Sequence, residues 1–452
     1  MPVQWSVDSW RSRPEKHAPV YDDLAGLKSA TGRLRQLPPL VTSWEIERLR
    51  GEIAEAQEGK RFILQGGDCA ETFADCRPEI IANKLKILLQ ASLVLIEAAQ
   101  KPVTRVGRFA GQYAKPRSRP MEVQGGVELP SYFGDIINRP EFTPEARRPD
   151  PKLIVEAHQY AALTLNFVRS LSAGGFADAH HPEYWDLGFF QRTAVPEELR
   201  KSYEQTTARL ADALRFMSVL GESTVAELTR VEFFTSHEGL HLEYEAALTK
   251  TVPRRSGYYD LSTHLPWIGD RTRDPGGACV ELFRGVRNPI GVKLGPSAEP
   301  DELLRLLDVL NPEDAPGKVV LITRMGAAKV EERLPPIVLA VKREDRRVLW
   351  VTDPMHGNTR AAPTGHKTRH FDDILREVEK TFGVHRSTGT ILGGVHFELT
   401  GEDVTECLGG GAAAVSDLTE NYASACDPRL NYRQSLEMSL LLGQLLRADR
   451  SR

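Results

Sequence analysis

One thiol, one imidazole and two carboxylates stand far apart along the 452-residue chain: Cys69, His356, Glu398 and Asp427. A mixed sulfur, nitrogen and oxygen set suits a divalent first-row ion. Mn2+, Co2+, Fe2+ and Zn2+ qualify, and Mg2+, which prefers all-oxygen shells, does not. Singly, each residue has a plainer reading: a Cys beside a Gly pair is a small core residue, and a loop His is not a ligand. A second group is cationic: Arg108, Arg271, Lys293, Arg324 and the stretch from Lys115 through Arg117 to Ser118. Converging cations need an anion between them. The planar Arg fork suits phosphate or carboxylate, while Lys acts as a point charge. Several cations in one cavity exceed the demand of a single monoanion, which points to phosphorylated, two-part substrates. Any one of these Arg alone would be a solvated surface charge.

Such remote residues meet only if the fold brings them together. Eight short β-rich apolar runs read as strands: Arg61–Gln65, Val103–Arg108, Val231–Thr235, Tyr258–Ser262, Ile290–Lys293, Val319–Thr323, Val348–Thr352 and Gly394–Glu398. Helical segments follow several of them, at Ile80–Ala99, Pro300–Leu310, Phe371–Phe382 and Arg433–Leu446. Strands alternating with helices imply a parallel sheet with right-handed crossovers, and eight apolar units suggest a closed (β/α)8 barrel. A doubly wound open sheet is the alternative, but it usually starts with a Gly-rich fingerprint that the chain lacks. In a barrel the chemistry sits at the C-terminal strand ends, and every run leads there into an ionisable residue.

Two departures from regularity set the expected organisation. Residues 1–58 are interrupted by Pro14, Pro19, Pro38 and Pro39, with only Ser43–Gln57 reading as a helix, and form an extension that packs on a barrel spanning 59–452. Between the second and third strands lies an inserted region, about 140–225, with helical patterns at Leu153–Leu171 and Glu197–Leu220. It reads either as an interface or regulatory site or as passive packing.

Composition excludes several classes. Hydrophobic residues make up 41% and charged residues 27%, as in a soluble globular enzyme. Lys and Arg total 58 against 62 Asp and Glu, a balance that argues against nucleic-acid binding. No apolar run is long enough to span a bilayer, and the start of the chain has no secretory apolar segment. The five cysteines show no CxxC pairing and read as reduced cytoplasmic thiols.

Eight ordered strings carry a resemblance across essentially the whole chain. They are Leu64-Gln-Gly-Gly-Asp-Cys-Ala-Glu71, Ala110-Gly-Gln-Tyr-Ala-Lys-Pro-Arg-Ser118, Thr235-Ser-His-Glu238, Gly291-Val-Lys-Leu-Gly-Pro296, Asp353-Pro-Met-His-Gly-Asn358, Lys367-Thr-Arg-His-Phe371, Thr400-Gly-Glu-Asp-Val-Thr-Glu-Cys-Leu-Gly-Gly410 and Ala425-Cys-Asp-Pro-Arg-Leu430. Together, with an opening Trp5-Ser-Val-Asp-Ser-Trp-Arg-Ser12, the sequence resembles type II (plant-type) 3-deoxy-D-arabino-heptulosonate 7-phosphate (DAHP) synthases.

The resemblance implies a (β/α)8 barrel that condenses phosphoenolpyruvate with erythrose 4-phosphate, releasing phosphate, at the entry to the shikimate pathway. It implies a metal shell of Cys69, His356, Glu398 and Asp427, and phosphoenolpyruvate held by Arg108, Arg271, Lys293 and Arg324 with Glu238 nearby. The second phosphate falls to Lys115, Arg117 and Ser118. Lys293, Glu238, Asp270 and Arg271 are the expected catalytic group. Aromatic feedback effectors and a homodimer or higher homo-oligomer are further expectations. Two strings depart from the family pattern. Ile268-Gly-Asp-Arg-Thr-Arg273 has Asp270 where the family has Glu, and Ser131-Tyr-Phe-Gly-Asp135 has Phe133 where it has Arg. They motivate two alternatives: a related synthase acting on a modified (amino) sugar phosphate, or a non-catalytic regulatory relative.

Overall fold

In the computed structural model, residues 4–117, 119–173, 232–410, 418–424 and 426–450 are described, together with residues 197, 201, 204, 205 and 208. Eight parallel strands close into a barrel: β1 Phe62–Gly67, β2 Val103–Arg108, β3 Phe234–Glu238, β4 Leu265–Ile268, β5 Ile290–Leu294, β6 Val319–Thr323, β7 Leu349–Thr352 and β8 Leu392–Glu398. Each pairs with its sequence neighbours and β1 closes on β8, with Gln65 level with His396 and Gly67 level with both Glu398 and Arg108. Closure leaves no edge strand, so both faces of every strand are buried and the runs read as almost continuously apolar.

The helices are α1 Leu24–Leu34, α2 Ser43–Gln57, α3 Pro78–Ala99, α4 Lys152–Ala173, α5 Leu242–Leu248, α6 Ala278–Phe283, α7 Pro300–Leu310, α8 Val330–Arg343, α9 Phe371–Thr388 and α10 Tyr432–Arg450. Among the described residues, no helix is long and apolar enough to cross a membrane. α2 does more than pack beside the barrel. Its Leu49, Ile53 and Ala56 join the inward-facing Ile63, Val106, Phe234, Leu265, Val320, Ile322 and Val351 in one apolar cluster, plugging the end opposite the strand C-termini. A capping box starts this helix: Glu45 N–H donates to Thr42 Oγ1, and Thr42 N–H donates to Glu45 Oε2 at 2.8 Å.

Three sequence expectations need correction. The run Tyr258–Ser262 is not the fourth barrel strand: Tyr258–Asp260 pairs antiparallel with Thr249–Thr251 outside the barrel. The barrel position belongs to Leu265–Ile268, a short strand whose Pro266 lacks the N–H a central strand needs. The third strand lies at Phe234–Glu238, three residues later than its apolar run suggests. The first fifty residues hold a second helix, α1, containing the poor helix formers Gly26, Thr31 and Gly32. Asp23 caps it by accepting from Gly26 N–H at 2.7 Å, and its Ala30 and Leu34 are buried in the core. The helix expected at Glu197–Leu220 lies mostly outside the described residues.

The segment after β2 contributes a hairpin, Met121–Gln124 paired with Val127–Pro130. Gly125 and Gly126, at φ 57° and 80°, supply the left-handed conformation a two-residue turn requires. The buried Arg147 anchors its base, donating to Glu122 at 2.8 Å and to the Pro130 carbonyl at 3.1 Å.

Candidate active site

The C-terminal strand ends open into a cavity of about 800 Å3, lined by eight Lys and Arg side chains against five Asp and Glu. The excess charge makes it a receptor for anions. Trp267 forms part of the wall, and the Arg108 guanidinium and Lys293 ammonium lie 5.2 and 5.7 Å from its ring centroid. Arg117, Glu238, Asp270, Arg271, Arg324, His356 and Asp427 also line the cavity. Ser118 lies outside the described residues.

Cys69 follows β1 by way of Gly67, whose φ of 144° brings its backbone so close to β2 that a Cβ would sit 2.8 Å from the Arg108 carbonyl oxygen. Glu398 ends β8, and Asp427 comes from the loop before α10. One donor atom from each of Cys69, Glu398 and Asp427 lies within 4.8 Å of the other two. His356 is outside that trio but touches it, with Nε2 2.9 Å from Glu398 Oε1. Its Nδ1 lies 2.7 Å from Asp353 Oδ2, an arrangement that fixes the ring and aims Nε2 at the carboxylate. One sulfur, one imidazole and two carboxylates at this spacing fit a divalent ion with bonds of about 2.0–2.3 Å.

Charge holds the two carboxylates ionised, whereas burial, then Cys426 and Glu398, push the Cys69 thiol well above its ordinary value. Burial pushes the Glu398 carboxyl up, but the fields of His356, Lys115, Arg369 and Arg108 outweigh it and hold it well below the usual range. Asp427 is likewise lowered against burial, chiefly by Lys115, and Lys367 donates to its Oδ1 at 2.7 Å. Burial lowers Lys293 to about 8, Asp353 opposing that shift and Arg108 adding to it. Burial pushes Glu238, half-buried in the cavity wall, up despite Lys115 and Lys293.

Several predicted substrate residues are engaged with protein. Arg108 donates to the carbonyls of Asp68 and Cys69 and to Glu398 Oε1 at 3.0 Å. Asp270 accepts from Gly295 N–H at 2.9 Å and pairs with Arg324 and Arg273, each at 3.1 Å, tying the ends of β4, β5 and β6 together. Arg271 is exposed at the rim. Lys115 reaches into the donor trio, 2.8 Å from Cys69 Sγ. Phe133 packs against the apolar core, and its carbonyl accepts from Lys115 N–H.

The model of the Class-II DAHP synthetase family matches residues 5–443. The chain belongs to that family. Curated members named phospho-2-dehydro-3-deoxyheptonate aldolase include one from Neurospora crassa, 48% identical across 99% of this chain and 95% of the relative. Another, from Streptomyces coelicolor, is 47% identical across 97% of both. The one from Mycolicibacterium smegmatis, named with the suffix AroG, is 43% identical across 98% of this chain and 94% of its own length.

Within this class-II DAHP synthetase frame, sequence reasoning left several site residues unassigned. Asp353 receives both His356 and the Lys293 ammonium. Arg369, fully buried, pairs with Glu398 Oε2 at 2.7 Å and donates to the Pro428 carbonyl. Arg429 binds Asp68 at 2.7 Å and grips Glu406 through its Nε, its Nη2 and its backbone N–H. Cys426 lines the cavity, 3.5 Å from Arg117 Nη1. All four lie inside strings quoted for the resemblance. The available signal was a charged or sulfur side chain beside a ligand. Glu71 and Gln112 complete the scaffold: Glu71 accepts the N–H groups of Ala110, Gly111 and Gln112, each at 3.0 Å, and Gln112 Oε1 accepts from Glu238 N–H at 2.9 Å.

Proposed function

We propose that this protein joins phosphoenolpyruvate to erythrose 4-phosphate, forming DAHP and phosphate, with a divalent ion held by Cys69, His356, Glu398 and Asp427. The observation that carries the reading is a thiol and two carboxylates within 4.8 Å of one another, beside a cavity lined by eight cationic side chains. The ion, when bound, supplies Lewis acidity to the aldehyde oxygen.

The chain's own groups do the rest. Lys293 and Arg324 face the cavity and take the carboxylate and phosphate of phosphoenolpyruvate, the Trp267 ring giving its planar carbons an apolar wall. Arg117, farther along the β2 loop, takes the second phosphate. C3 of phosphoenolpyruvate bonds to the aldehyde carbon, water adds at C2, and phosphate departs. Holding both anions fixed makes the encounter of the two carbons effectively unimolecular, and the same cations offset the charge that develops on the departing phosphate. Asp270 acts indirectly, by anchoring Arg324.

The two departures from the family pattern do not favour a different aldehyde. Phe133, partly buried, packs against the core, and Asp270 spends its carboxylate on Gly295, Arg273 and Arg324. The test is a coupled assay of metal-replete protein. Phosphoenolpyruvate disappears and phosphate appears only when erythrose 4-phosphate is present, and chelation stops both. Folded, Mn2+-supplied protein that shows no turnover overturns the proposal.

A further inference from the structure

The Lys115 ammonium lies 2.8 Å from Cys69 Sγ, 3.1 Å from Asp427 Oδ2 and 3.3 Å from Glu398 Oε1. These are the three residues whose donor atoms gather within 4.8 Å of one another. A divalent ion bonded to the same trio at about 2.0–2.3 Å from each atom leaves no room for that ammonium. The two cations would meet well inside their contact distance, in a buried setting where like charges repel strongly.

From this we infer that Lys115 is an exchangeable cation: it neutralises the ligand cluster when the metal is away, and metal binding expels its ammonium into the substrate cavity. The inference rests on the metal centre proposed above. Three features support it. First, Lys115 bridges Glu398 and Asp427, which have further cations in Arg108, Arg369 and Lys367, and from between them it offsets their mutual repulsion in a buried pocket. Second, the route out is short. Lys115 already lines the cavity, and its flexible four-carbon stem can re-aim the ammonium while its backbone N–H stays bonded to the Phe133 carbonyl at 2.9 Å. Third, the backbone is pinned ahead of Lys115 by Glu71 at residues 110–112 and at Lys115 itself by the Phe133 bond, so exchange needs only rotation about side-chain bonds.

Functionally, the exchange makes one event out of two. A site without metal keeps its lysine engaged with the ligand cluster at the cavity wall; a loaded site turns it toward the anionic substrates. The phosphate-binding charge is therefore complete only when the metal is in place, and substrate is held most firmly by enzyme able to turn it over.

The test follows two side chains of the full-length protein separately. Chelated protein, with and without Mn2+, is reductively methylated with formaldehyde and a borane, and parallel samples are alkylated with iodoacetamide. Peptide mass spectrometry reads Lys115 and Cys69, with the exposed Lys16 as internal reference. Mn2+ should raise Lys115 methylation severalfold while lowering Cys69 alkylation. Cys69 protected with Lys115 unchanged or protected overturns the exchange and leaves the metal centre standing. Neither residue responding removes the metal centre and the exchange with it. As a second measurement, Lys115→Met should lower the melting temperature of chelated protein more than that of Mn2+-loaded protein. Equal losses in the two forms would mean a purely structural lysine and overturn the inference.

Discussion

Asp353 Oδ2 lies 2.7 Å from His356 Nδ1, and the same oxygen receives the Lys293 ammonium. One buried carboxylate thus orients a candidate metal ligand and a cavity cation together. Burial opposes its ionisation, but His356 and Lys293 hold its carboxyl well below the usual range. As an anion it holds the ring through Nδ1, with Nε2 turned toward Glu398. Asp353→Asn retains the shape and loses the charge. Metal affinity should fall by about 10–100-fold, the range for an outer-shell partner of a ligating His. Titration calorimetry with Mn2+ checks this, and unchanged affinity would show that the contact does not orient the ring.

The same contact sets a pH dependence. Burial brings Lys293 down to about 8, with Asp353 working against that shift. Its ammonium is present below that pH and lost above it, so kcat/KM should decline as pH rises through about 8. Removing Asp353 takes away the anion that supports the charge, and in Asp353→Asn the alkaline limb should move to lower pH. Initial-rate profiles of both proteins decide the point. A limb that stays in place or moves upward contradicts the assignment to Lys293.

The barrel was legible in the sequence because strands buried on both faces leave continuous apolar runs, and turn glycines punctuate them. The fourth strand was not. Tyr258–Asp260 has the aromatic residues of a strand and uses them in a hairpin, whereas the true strand is four residues long and contains Pro266. Local pattern reports that a segment is extended, but not which partner it finds. Ligand convergence is hidden for a related reason. Asp427 N–H donates to Cys69 Sγ across 358 positions of sequence, a contact that only barrel closure creates. Residue type and strand-end position suggested the donor set. That Lys115 lies among the donors, and that Arg108 faces protein groups, depends on side-chain directions that no spacing encodes.

α2 plugs the barrel through Leu49 and Ile53, both fully buried. This fixes how the N-terminal segment contributes: it fills the barrel interior at the end away from the chemistry. Ile53→Ala removes buried methylene and methyl groups from a closed space that relaxes poorly, a loss of about 2–5 kcal/mol. The variant should melt at a lower temperature while KM for either substrate stays near the parent value. A raised KM with an unchanged melting temperature would place α2's influence at the site instead.

Asp68 precedes Cys69, and Arg429 follows Asp427 by two positions, so their 2.7 Å ion pair links the two loops that carry those ligands. Lys84 holds the other Asp68 oxygen at 2.6 Å, and Glu406 takes the rest of the Arg429 fork. Every carboxylate here is buried, so removing the guanidinium takes the Arg429 charge from Glu406 and leaves Asp68 with Lys84, a cost of about 3–5 kcal/mol. Arg429→Met should therefore lose both stability and metal affinity. Arg429→Lys separates the two effects: it restores a positive charge but, as a single point donor, cannot span Asp68 and Glu406 together. Its stability should recover in part while its Mn2+ affinity stays low, because holding Cys69 and Asp427 in register requires the span as well as the charge. Calorimetry and thermal melts on the same samples give the comparison, and metal affinity that recovers in step with melting temperature would show that Arg429 supplies charge alone.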